Sequence, residues 1–336
     1  MSIELDLAFA WYAIIVFSVL MYVVMDGFDL GVGLLFPLVR DARGRDIMTN
    51  TIAPVWDGNE TWLVLGGGGL FAVFPLAYSV ALTALYAPLI AMLLALVFRG
   101  VAFEFRFKDP DHKVWWDRAF FGGSAVATFA QGVVLGAFVQ GIETQGRLYA
   151  GGWFDWLTPF SVFTGVALMV GYALLGAGWL VMKTEGELQS RCFEFLVPLA
   201  FWILLAIFVV SMWTPLLNDR IALRWFSWPN IAWFSPVPLL VAVSAVLLFR
   251  AILRRNEYQP FIFSLVLFLL AYAGLGISLF PNIVPPGISY HDAAAPDESL
   301  KFLMVGAVVL IPVILAYTGY GYWVFRGKVR GDEGYH

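Results

Sequence analysis

Nine stretches of this 336-residue chain are long and apolar enough to cross the roughly 30 Å hydrocarbon core of a bilayer. They run at about 8–38, 53–74, 77–104, 117–140, 159–182, 193–215, 233–253, 259–281 and 300–325. A lipid environment admits only structures that satisfy every backbone group internally, and apolar runs of this length do so as helices. The expected fold is therefore an all-α polytopic membrane protein. It forms a single integral membrane domain over residues 1–336, with about nine transmembrane helices arranged as two helical bundles plus a peripheral helix. Composition agrees, with 61% hydrophobic residues, 13% charged residues and a mean hydropathy of +0.81. The second stretch is the weakest, because Pro54, Gly58 and the run Gly66–Gly69 interrupt it, so eight spans is the alternative count.

The basic residues test that count independently. With nine spans, one set of loops and flanks holds Arg40, Arg43, Arg45, Arg99, Arg106, Lys108, Lys113, Arg118, Lys183, Arg191, Arg250, Arg254, Arg255, Arg326, Lys328 and Arg330. The other holds only Arg147, Arg220, Arg224 and Lys301, a split of 16 to 4 that uses all 20 basic residues. Dropping any span scrambles it. The positive-inside rule then places the N-terminus outside and the C-terminus in the cytoplasm. The tail from Arg326 to His336 reads as short, charged and disordered.

Several chemistries are excluded. A single cysteine, Cys192, permits no internal disulfide and no cysteine-based cluster. The histidines, His112, His291 and His336, fall outside the apolar runs, so no span offers a histidine to a haem and no metal site is expected. Net charge is −4 without a dense basic surface, which excludes nucleic acid as a partner. No phosphate- or dinucleotide-binding glycine fingerprint occurs. The first ten residues carry Glu4 and Asp6 without Lys or Arg, unlike a cleavable signal peptide, so the first span is expected to be retained.

Against this background the acids inside the apolar runs are the candidate site. Charged groups at such depth are costly and face a protein interior or a water-filled path. Asp26 and Asp29 lie three apart on one helix face, roughly 18 and 13 Å inside the basic edge of the first span. Gly27 and Gly31 form a small-xxx-small pair that admits a second helix, expected to be the glycine-rich second span. That span brings Asp57 and Glu60 in from the same side, about 6 to 12 Å deep. Arg99 and Glu104 near the inner end of the third span stand at similar height. Four acids around one buried arginine cannot all be ionised, a condition suited to passing protons. Asp26, Asp29 and Glu60 read equally as relay groups or as polar pins between helices. Asp57, between Trp56 and Gly58 at a break in the helix, is the acid best placed for function. Gln131, Gln140 and Glu143 read as interfacial groups with a quinone headgroup as the alternative. Tyr317, Tyr320 and Tyr322 read as anchors or packing, and Met25, Met92, Met169 and Met304 as core methionines.

These segments resemble subunit II of the cytochrome bd-type quinol oxidases. The matching pieces are Asp26–Gly33 (DGFDLGVG), Ile52–Leu63 (IAPVWDGNETWL), the glycine-rich stretch into Phe71–Pro75 (FAVFP), Phe98–Arg106 (FRGVAFEFR) and Tyr317–Trp323 (YTGYGYW). The short length and short outer loops are similar to the compact, cyanide-insensitive branch. The resemblance implies a haem-free scaffold packed against a haem-bearing subunit I, which carries haem b and haem d and oxidises quinol. Oxygen is reduced to water and a proton gradient results, in a bacterial inner membrane. It implies a proton-relay role for Asp57 and no cofactor on this chain alone; on the residues themselves Trp56, Arg99 and Glu104 read as structural polar groups that lock the bundle. Some members also hold a structural quinone in subunit II or a small single-span accessory subunit. Glu60 stands where other members carry an amide. The competing classes are a proton-coupled secondary transporter and a purely structural assembly subunit. Against a transporter, the acids cluster in the first three spans and the later spans lack a matching set.

Overall fold

The computed structural model describes residues 6–329. Glu4 and the segment from Arg330 to His336 lie outside them. The described chain is helical from end to end: α1 (Leu7–Leu35), α2 (Ala42–Ile52), α3 (Trp56–Val73), α4 (Pro75–Lys108), α5 (Lys113–Gln140), α6 (Pro159–Lys183), α7 (Gly186–Leu217), α8 (Asp219–Phe226), α9 (Asn230–Phe234), α10 (Pro236–Leu253), α11 (Gln259–Leu279), α12 (Tyr290–Ala293) and α13 (Asp297–Val324). Two small antiparallel hairpins, β1–β2 (Thr144–Gln145, Leu148–Tyr149) and β3–β4 (Asn282–Val284, Ile288–Ser289), lie in connections.

Eight of these segments are long and apolar enough to span a membrane: α1, α4, α5, α6, α7, α9–α10, α11 and α13. The second expected span, α3, is not among them. The chain turns at Ala53–Val55 around Pro54 before α3 begins at Trp56, and Asp57, Asn59, Glu60 and the run Gly66–Gly69 make its 18 residues too polar to qualify. The basic stretch between the first two spans, expected as a loop, contains α2. Asp41 caps this helix, accepting from the Gly44 N–H at 2.8 Å. Within α4 the backbone leaves helical geometry at Leu85, three residues before Pro88, whose ring and missing N–H break the ladder.

The centre of the bundle is α6, which packs against α1, α5, α7 and α11. Glycine makes this possible. A Cβ on Gly31 of α1 would fall 1.8 Å from the Tyr172 carbonyl oxygen, and one on Gly176 of α6 would fall 2.3 Å from the Gly31 carbonyl carbon. The two backbones therefore touch, and so do α5 and α6, where a Cβ on Gly132 would sit 2.6 Å from the Gly165 Cα. The partner of the Gly27/Gly31 pair is thus α6 and not the glycine run of α3. That run borders α1 through side chains only: a Cβ on Gly69 would meet the Ile15 side chain at 2.6 Å, and one on Gly67 or Gly68 would meet nothing within 4 Å. Two large apolar cores result, with a small cluster of Tyr22, Met25 and Trp62 beside them. One, built on α1, α4–α7 and α11, lies toward the face that carries the basic loops; the other joins the opposite ends of α1, α4 and α13 to the β3–β4 connection.

Candidate functional site: buried acids around Arg99

The close α1–α6 crossing buries the middle of α1, leaving Asp26 and Asp29 with no solvent exposure. Opposite them α3 turns a buried stripe of Asn59, Trp62 and Gly66 toward α1, spaced i, i+3, i+7. Arg99 of α4, also fully buried, completes the cluster. Its Nη1 donates to Glu60 Oε1 at 2.7 Å and lies 3.4 Å from Asp26 Oδ1, within ion-pair reach of both. Its guanidinium rests over the Phe103 ring, which stacks on Trp56 with centroids 4.9 Å apart. Asp29 Oδ2 accepts from Asn59 Nδ2 at 2.7 Å, and the same amide reaches the Met25 carbonyl at 3.3 Å. With two acceptors holding its N–H₂, Asn59 presents Oδ1 to the Tyr322 hydroxyl of α13, which donates at 2.9 Å.

Three carboxyls thus face one guanidinium, and the charge of the cluster depends on how many protons they hold. Several buried polar atoms here lack a hydrogen-bond partner in the chain: both oxygens of Asp26, Asp29 Oδ1, Arg99 Nε and Nη2, Ser124 Oγ and Thr128 Oγ1. Buried polar atoms of native proteins are ordinarily bonded to protein or to ordered water.

The expected residues distribute as follows. Asp26, Asp29, Glu60 and Arg99 converge. Asp57 does not enter their bonds; it lies in the first turn of α3, exposed, where an acid suits the helix N-terminus. Glu60, three residues on, has 24% side-chain exposure and connects that surface to Arg99. Glu104 is not part of the cluster. Five residues from Arg99 on one helix is well over a third of a turn away, so Glu104 faces outward and pairs with Lys108 at 2.9 Å. Trp56 is half-buried against Phe103.

Asn59 was not singled out by its sequence, although Trp62 at i+3 marks its face as the buried one. Tyr322 binds Asn59 and is not an interfacial anchor. Gln131 is buried, donating to Tyr22 at 2.7 Å and accepting from Tyr172 at 3.0 Å, so neither an interfacial nor a headgroup role describes it. A second polar knot at the basic face joins Arg106 to Asp117 and Asp46, each at 2.6 Å, and ties α2, α4 and α5 together.

Comparison with known proteins covers nearly the whole chain. The family model for cytochrome bd terminal oxidase subunit II matches residues 7–325. The chain is 30% identical to the cytochrome bd-I ubiquinol oxidase subunit 2 of Escherichia coli (strain K12), over 97% of this chain and 96% of that one. It is 29% identical to the cytochrome bd ubiquinol oxidase subunit 2 of Bacillus subtilis (strain 168), over 96% and 97%. A chain in the structure of bd oxidase from Geobacillus thermodenitrificans shares the fold, with a TM-score of 0.77 at 17% identity over 96% of this chain and 98% of that one. With a family match over nearly its full length, this protein belongs to the cytochrome bd terminal oxidase subunit II family.

Proposed function

We propose that this chain is the scaffold and proton-path subunit of a bd-type quinol:oxygen oxidoreductase in a bacterial inner membrane. Its partner is subunit I, which holds haem b and haem d; with α3 counted as a crossing, because it returns along α1 from the Asn59–Asp29 bond to the approach of Gly69 to Ile15, the N-terminus faces outward and the C-terminus the cytoplasm. The haems supply the electron chemistry between quinol and oxygen. Among the described residues His112 and His291 have side chains 65% and 61% exposed at helix ends, and buried Met25 and Met92 are packed among core side chains, positions that do not suit a haem. The work left to this chain is to bind the partner and to move protons. A structural quinone and a small single-span subunit fit the same assembly.

The observation that carries this reading is the line from exposed Asp57 through the mostly buried Glu60 to fully buried Arg99 and Asp26. Asp57 and Glu60 are three residues apart on α3, about 4.5 Å of rise, so the second carboxyl stands one step deeper than the first. Each carboxyl can take up and release a proton, and Arg99 holds Glu60 and Asp26 close enough for the state of one to be felt by the other. Both oxygens of Asp26 and Oδ1 of Asp29, which accept no hydrogen bond from the chain, are the atoms to which a water chain would bond.

The test is turnover per haem across pH in the purified complex, for wild type and Asp57→Asn. The amide keeps the shape and loses the exchangeable proton, so turnover falls about tenfold or more while haem content is retained. Unchanged turnover per haem at every pH overturns the relay. A parallel fall of haem content and turnover leaves Asp57 as a subunit contact only.

A further inference from the structure

The face opposite the basic loops carries only Arg147, Arg220, Arg224 and Lys301. Two of these four cations line one cavity. It measures about 250 Å³ and lies where α7 and α11 end, bounded by α8 and the segment from Ser278 to Pro286. Asn218, Ser278 and Asn282 contribute polar groups, and no acid is among the lining residues.

Arg220 and Arg224 are four apart on α8 and share a face. Arg220 Nη1 donates to the Pro286 carbonyl at 3.0 Å; Arg224 Nη1 donates to the carbonyls of Ile277, at 2.9 Å, and Phe280. These bonds position the two side chains, yet carbonyls are neutral and cancel neither charge. Each guanidinium has five N–H donors, and these contacts use Nη1 alone. The cavity wall therefore keeps two positive charges, on the face where such charges are scarce.

Apolar surface adjoins them. Ile221 is buried, while Leu223, Phe226, Trp228 and Trp233 on and after α8 are exposed. An amphipathic helix followed by exposed tryptophans sits at the boundary between hydrocarbon and headgroups. That depth brings arginines to phosphates, whose oxygens match the planar guanidinium fork.

We propose that this cavity binds the phosphodiester of an anionic phospholipid, with Arg220 and Arg224 holding the phosphate and the acyl chains lying against Leu223, Phe226 and Trp228. The proposal is independent of the proton-path reading, because it concerns lipid retention and not turnover.

The experiment uses the intact purified complex, stripped of loosely held lipid and titrated with phosphatidylglycerol, phosphatidylcholine or inorganic phosphate. Native mass spectrometry counts what remains bound. Wild type is expected to retain phosphatidylglycerol at this site in preference to phosphatidylcholine, and inorganic phosphate is not expected to displace it. Arg220→Gln with Arg224→Gln should bind it roughly ten- to a hundredfold more weakly. Arg220→Gln alone should weaken it in the same direction if the double variant does not assemble. Arg147→Gln, outside the lining, should leave retention unchanged. Equal retention by wild type and the Arg220 variants overturns the proposal. So does equal loss in Arg147→Gln, phosphatidylcholine bound as tightly, or displacement by inorganic phosphate, which would mark a free-anion site.

Discussion

The inner helices α5 and α6 and the late helices α11 and α13 meet the membrane in opposite ways. In the most apolar stretch of α6, 67% of residues are buried within the chain, and in α5 56%; in α11 the share is 17% and in α13 11%. The polar groups follow the same division. Asp26, Asp29, Asn59, Arg99 and Gln131 are all buried in the enclosed group, whereas the buried polar residues of α10 and α11 are the serines Ser244 and Ser264. Phe302, Val305, Val309, Val313 and Tyr317 on α13 are exposed. The difference teaches what close packing is for in this fold. A charge in the hydrocarbon region must be enclosed by protein, and enclosure needs backbones near enough for side chains to surround it. Where no charge is held, apolar side chains suffice against lipid or a partner.

The contrast breaks first at its glycines. Gly31→Leu or Gly176→Val would drive a side chain into the opposing backbone, where no rotamer relieves it. We expect more than ~3 kcal/mol of destabilisation, beyond ordinary overpacking, read as loss of the chain from the membrane fraction. Gly67→Ala in α3, with open space around it, is expected to leave this chain's fold intact. Equal damage from Gly67→Ala in the chain produced without its partner would show that glycine spacing, and not helix crossing, governs the fold.

Next in size is Arg99→Leu. Removing the only guanidinium at the cluster leaves Asp26 and Glu60 without their counter-ion, an uncompensated buried charge worth about 3–5 kcal/mol. The thermal midpoint of the purified complex should fall accordingly and recover in part when Asp26→Asn is added. No recovery would mean that Arg99 acts chiefly by filling space against Phe103. A smaller effect is expected from Tyr322→Phe, which removes one hydrogen bond to Asn59 and leaves the amide held by Asp29 and Met25. About 0.5–1.5 kcal/mol is expected in the same assay. A loss as large as that of Arg99→Leu would place α13 inside the enclosed group and blur the division.

Eight of the nine expected spans and the convergence of Asp26, Asp29, Glu60 and Arg99 were legible in the sequence because hydropathy and charge at depth are local properties. Facing was less so. Asp57 and Asn59 are two residues apart, about 200° around a helix, so one faces out and the other in. Only Trp62 and Gly66 continuing the Asn59 stripe reveal which is which. Glu104 was misplaced by reading height without azimuth. The helix α2 escaped notice because its apolar content is low, and its salt bridges from Asp46 to Arg106 and Lys113 are tertiary. Likewise Tyr322 reaches Asn59 across 263 residues, which no local pattern encodes.

The smallest expected effect concerns how the end of α13 is held. Beyond α13 the chain folds back: Lys183 donates to the carbonyls of Phe325 and Gly327, and the Val329 N–H donates to the Lys183 carbonyl at 2.9 Å. Outside these contacts lies a partly exposed pair, Lys328 Nζ and Glu257 Oε2 at 2.9 Å, with Gln189 Nε2 donating to Glu257 Oε1 at 3.0 Å. Lys328 first, and Gln189 after it, hold the Glu257 carboxyl below its ordinary range. A carboxyl depressed in the folded state stabilises above its unfolded pKa of about 4.3, and that contribution is lost as pH falls through the folded value. The tether is therefore complete at neutral pH and loosens only in acid. Such a pair contributes a few tenths of a kcal/mol. Protease cleavage after Phe325 should rise slightly in Lys328→Ala at pH 7, toward the wild-type level in acid, with no further rise in the variant on acidification. A large rise at pH 7 would show that the tether, rather than the Lys183 contacts, holds the least buried helix in place.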